Sequence, residues 1–105
     1  MKYTLQQDNR LGVARPVLFV DYEQLSTEEQ ASFELLCQTT SAQIPEAIKR
    51  LEQQYMERFT KLDQVEEDEF YTLMDEMNEL SSCICDLNLL YLWIEGKFLS
   101  SNVHT

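Results

Sequence analysis

From Phe70 to Phe98 every seventh residue is apolar (Phe70, Met77, Ile84, Tyr91, Phe98), and Leu73, Leu80, Leu87 and Ile94 fall between them. Nine apolar positions at alternating spacings of three and four share one face of an α-helix and no face of a β-strand. The spacing predicts one long helix over residues 64–95, with Asp63 as its cap, Glu66 three residues on, and Gly96 ending it in the left-handed conformation. Such a helix is about 48 Å long at 1.5 Å per residue, a large span for a chain of 105 residues. Ser81-Ser82 is the one place for a kink or break, since serine side chains compete for backbone hydrogen bonds.

The rest of the chain has few turn signals, because it contains only 2 Gly and 2 Pro. Ser26-Thr27-Glu28-Glu29 is a capping box that starts a helix near residue 27. Thr39-Thr40-Ser41 weakens it, and Ile44-Pro45-Glu46 reads as a second start, with proline in the first turn. From there Ile48, Leu51, Tyr55, Phe59 and Leu62 recur at helical spacing. Residues 1–25 differ: Val17-Leu18-Phe19-Val20 follows Pro16 and the turn-prone segment Asp8 to Gly12. The expected fold is mainly α, a three-helix arrangement within one domain over residues 1–105. Its long C-terminal helix has its possible kink at 81–82, and its N-terminal segment is an extended arm or a short β-hairpin pairing Tyr3–Gln6 with Val17–Val20.

The long helix changes character along its length. From Cys83 onward, Leu89, Leu90, Leu92 and Trp93 add apolar residues off the main stripe, and a helix apolar on all sides must be covered on all sides. Two further helices do not sheathe it completely, so these four residues are the expected face of a homodimer, unless the N-terminal arm closes over them. Tyr22, Tyr71, Lys49 and Arg50 are expected on the surface.

Charge is equally uneven. The chain holds 19 acidic against 8 basic residues, net -11, and residues 63–105 contain 10 of the acids and only Lys97. Nucleic acids and anionic membranes attract the opposite charge, so neither is an expected partner. Glu66, Glu67, Asp68 and Glu69 open the long helix, where its dipole favours them. Asp75, Glu76 and Glu79 follow without that support and without an intervening cation. These seven carboxylates form the candidate partner-binding strip, for a basic protein surface. Arg10 and Arg15 offer a competing use, by laying the N-terminal arm against the acidic helix.

Catalytic and metal chemistry find little support. Asp75-Glu76-Met77-Asn78-Glu79 resembles the Glu-Glu-x-x-Glu half-site with which all-helical nucleotide pyrophosphohydrolases hold Mg²⁺, but the Glu-x-x-Asp half-site is missing, since Gly96, Lys97 and Phe98 follow Glu95. His104 is the only histidine and lies beside the C-terminus. Cys83 and Cys85 stand two apart on a helix and point in different directions, and Cys37 would be a third ligand without a fourth. No cofactor, metal or catalytic residue is expected. The first residues lack the apolar run of a secretory signal, and three cysteines are an odd number, so the expected location is the cytoplasm with reduced thiols. The expected function is that of a small acidic non-enzymatic protein that binds and inhibits or regulates a basic protein, as a nucleic-acid mimic or an antitoxin-like inhibitor does. The alternative is a helical adaptor working through an apolar face, and a Mg²⁺-dependent nucleotide hydrolase is the weakest option.

Overall fold

The computed structural model describes residues 1–99. The chain runs as strands β1 (Tyr3–Asp8) and β2 (Val13–Leu18), a 3₁₀ turn at Tyr22–Gln24, helix α1 (Thr27–Phe59), a second 3₁₀ turn at Leu62–Gln64, helix α2 (Glu67–Ile94) and a π-helical turn at Glu95–Leu99. There are therefore two long helices where three were expected. They pack side by side as an antiparallel pair, and the β-hairpin lies against one flank of that pair.

The missing break is at Thr39–Pro45. Helix α1 passes through Pro45 because the residues on either side are committed to the interior: Phe33, Cys37, Thr40, Ile44 and Ala47 are all buried, at continuous spacings of four and three. Thr40 reads as a weak helix former in sequence, yet it holds a core position. Its hydroxyl donates to the Ala14 carbonyl at 2.5 Å, while the Ala14 amide donates to Gln43 Oε1 at 3.3 Å. Both polar groups of Ala14 face away from β1, as alternate residues of an antiparallel strand do. Helix α1 thus hydrogen-bonds the outer edge of β2. Pro16 falls on the same edge, where it has no amide to leave unpaired.

Antiparallel pairing runs from Tyr3 opposite Leu18 to Asp8 opposite Val13, so the arm is a hairpin, but its register is shifted by two residues from the expected pairing of Tyr3–Gln6 with Val17–Val20: Gln6 lies opposite Arg15. Its turn is held by Asp8: the carboxylate accepts from the Leu11 amide at 3.0 Å, and the carbonyl accepts from the Gly12 amide at 2.8 Å. Gly12, at φ 75°, has the only positive φ among the described residues, in a region that side chains disfavour.

The capping box at Ser26 is formed in both directions, with Glu29 N donating to Ser26 Oγ at 3.1 Å and Ser26 N to Glu29 Oε1 at 2.9 Å. Two expected boundaries of α2 move. Its cap is Glu66 rather than Asp63, which sits in the preceding 3₁₀ turn. Gly96 does not end the chain's helical course: it lies inside the π turn, which carries Phe98 into the core at 2% exposure. Helix α2 is continuous through Ser81-Ser82.

The contiguous core lies in one half of the helical pair, while Leu73 and Met77 are buried apart from it in the other half. Leu11, Val13 and Leu25 cover Phe33, Cys37, Ile44 and Ala47 of α1 and Cys83, Leu87, Leu90 and Ile94 of α2. Phe98 stacks edge-on against Phe33 and Trp93, at 5.1 and 4.9 Å between ring centroids. Tyr22, expected on the surface, is half-buried against Phe33 and Phe98, and its hydroxyl donates to Glu34. Beyond this half the two helices continue as an arm without a third layer. The radius of gyration, 17.8 Å, exceeds the roughly 13 Å of a compact chain this size. The molecule measures 59 × 32 × 16 Å.

Candidate interaction surface

Helix geometry, about 100° per residue, sorts the acids of α2 by direction. Asp68, Asp75, Glu79 and Asp86 fall within a narrow sector, one row along the flank on which the β-hairpin lies. Glu66, Glu67 and Glu69 fan out around the start of the helix. All seven expected strip residues are exposed, but they do not share one role.

The hairpin tip takes the C-terminal end of the row. Arg10 donates from Nε to Glu79 Oε1 at 2.8 Å, from Nη1 to Asp86 Oδ2 at 2.6 Å and from Nη2 to Ser82 Oγ at 2.9 Å. The Cys83 thiol lies 3.8 Å from the Arg10 carbonyl, so backbone and side chain of the tip both meet α2. These bonds hold the guanidinium charged, Asp86 contributing most, and Arg10 in turn keeps the Glu79 carboxyl below its ordinary range. Arg15 pairs within the hairpin instead, with Asp8 at 3.3 Å. Glu76 is also taken, by Arg58 Nε at 2.8 Å. Sequence reasoning anticipated Arg10 and missed Arg58; the signal was that Arg58 and Glu76 both sit beside the helical seam.

Glu66, Glu67, Asp68, Glu69 and Asp75 remain. None has an ion-pair partner among the described residues, and they cluster at the end of the arm away from the core. Among the described residues no group of three or more His, Cys, Asp or Glu side chains is placed to hold a metal ion. Cys83 is buried and Cys85 exposed on the same helix. Burial raises the Cys83 thiol and pushes the Cys37 thiol up to about 12. His104 lies outside the described residues. Among those residues no helix is long and apolar enough to cross a membrane.

The four expected apolar interface residues are divided by the fold. Leu90 is 5% exposed and belongs to the chain's own core. Leu89 and Leu92 point away from α1, with Leu92 67% exposed. Trp93 stands between: it packs on Phe98 and lines a groove with Arg15 to Leu18 of the hairpin.

The fold and surface define a helical hairpin with a β-hairpin on one flank and unpaired carboxylates at the far end. Comparison with protein-family models, curated proteins and solved structures finds no match for this chain.

Proposed function

We propose that the chain is a non-enzymatic interaction protein that docks a basic surface of another protein through Glu66, Glu67, Asp68, Glu69 and Asp75, and thereby inhibits or regulates it. The observation that supports this is the contrast along α2: Glu76, Glu79 and Asp86 are neutralised by arginines of the same chain, whereas five carboxylates at the protruding end have no ion-pair partner among the described residues. Carboxylates displayed this way stand where phosphates would, which suits a partner whose ordinary ligand is a nucleic acid. Reversing Asp68 and Asp75 to Lys tests the row without touching the Arg10 clamp. The variant should lose proteins that the wild type retains from a native lysate while keeping its helical circular dichroism; equal retention would sink the reading.

Leu89 and Leu92 support a second reading, a helical adaptor that meets its partner through that apolar stripe. Salt separates the two: electrostatic docking weakens steeply as ionic strength rises, and apolar docking does not.

A further inference from the structure

The flank of the helical pair opposite the β-hairpin carries a different surface. Arg10 marks one flank of α2 by its contacts with Glu79, Ser82 and Asp86. On the other flank, helix geometry places Phe70, Met74, Ser81, Ile84 and Asn88, with no charged residue from Phe70 to Asn88. Helix α1 adds Ile48, Tyr55, Met56 and Phe59, with Glu52 the one acid among them. Glu52, Tyr55, Met56, Ser81 and Ile84 line a shared groove of about 260 Å³. Met56 and Phe59 are 51% and 53% exposed.

We infer that this flank is the interface for a second copy of the chain, two helical pairs closing face to face into a four-helix bundle. A two-fold contact sets a surface against itself, so it must carry little net charge of one sign. For copies that each carry net -11, this flank, where Glu52 is the one acid and Lys49 lies a turn before it on the same helix, meets that condition far better than the acidic flank does. A basic partner would be drawn to the carboxylates instead. The dimensions also agree. The strip is about 30 Å long over some 20 residues of helix and about 20 Å wide across two helices. Its roughly 600 Å² of flat projection, enlarged by side-chain relief, approaches the ~800 Å² per partner of stable complexes. This interface differs from the Leu89 and Leu92 stripe, and it leaves the acidic row open.

Sedimentation equilibrium tests it. The wild type should show twice the 12.4 kDa of one chain at concentrations on the order of 100 µM. Raising salt should tighten the dimer, because it screens repulsion between the two anionic copies. Met56→Glu with Phe70→Glu, one exposed residue from each helix, should weaken association by roughly two orders of magnitude or more with unchanged circular dichroism. Should that variant unfold, Met56→Gln with Phe59→Gln is read the same way. A single-chain mass for the wild type would overturn the inference. So would a dimer that folded variants leave intact.

Discussion

At the residue scale, ion pairs at its opposite ends hold the β-hairpin to the helices, one from Lys2 and two from Arg10. Lys2 meets Glu29 at 3.0 Å near the open end, and Arg10 meets Glu79 at the tip. Both glutamates titrate below the ordinary value of 4.5, Glu29 through the Ser26 amide first and Lys2 second, Glu79 through Arg10. A carboxylate whose folded pKa is depressed contributes stability above its unfolded pKa and loses it as pH falls through the folded value. Acidification below about 4.5 should therefore loosen the hairpin from both ends, gradually, since exposed pairs are individually weak. Trp93, the only tryptophan, lines the groove beneath the hairpin and reports the change. Its emission should shift to longer wavelength in that range, and Arg10→Ala should bring the shift to higher pH. An emission maximum that stays constant through the titration would remove the ion pairs from the docking account.

At the element scale, α1 is a helix kept whole by its packing. A proline in a helix interior is about 3 kcal/mol less favourable than alanine, since it lacks an amide and crowds the preceding turn. Pro45 is exposed and takes no part in the core, while its neighbours Ile44 and Ala47 are buried. Ser41, whose carbonyl Pro45 leaves without its helical donor, uses its hydroxyl to reach Glu95 of α2 at 2.7 Å. Pro45→Ala should raise stability by about 1–3 kcal/mol, seen as a higher midpoint in thermal or urea unfolding. A lower midpoint would mean that the local bend at Pro45 sets how α1 lies on α2.

At the scale of the whole molecule, stability is unevenly distributed. Amide exchange follows local burial as well as global unfolding. The half containing Phe33 to Ala47 and Cys83 to Phe98 has three layers, and the arm from Leu51 through Leu80 has two. In dilute solution, where single chains prevail, amides of residues 51–60 and 67–78 should exchange faster than those of 33–47 and 83–94. Raising the concentration should slow exchange in the arm selectively if its flank of Met56, Phe59 and Phe70 is the dimer face. Uniform protection in dilute solution would show that two layers suffice.

Much of this was legible from residue order alone. The heptads from Phe70 to Phe98, the capping box at Ser26 and the turn at Asp8 to Gly12 act through neighbours within a few positions, and local spacing records such effects directly. The count of helices did not follow, because Thr40 and Pro45 oppose a helix locally and are overruled by contacts to Ala14 and α2 from distant parts of the chain. The same holds at the candidate surface. Residue order determined that α2 is acidic and apolar at once. Only the tertiary fold decided which acids are neutralised, by bringing Arg10 and Arg58 to α2, and which flank is left open with Glu52 as its one acid, by laying the hairpin on the other. Ion pairing and burial depend on distance in space, and a chain that folds back on itself sets that distance only once its helices have packed.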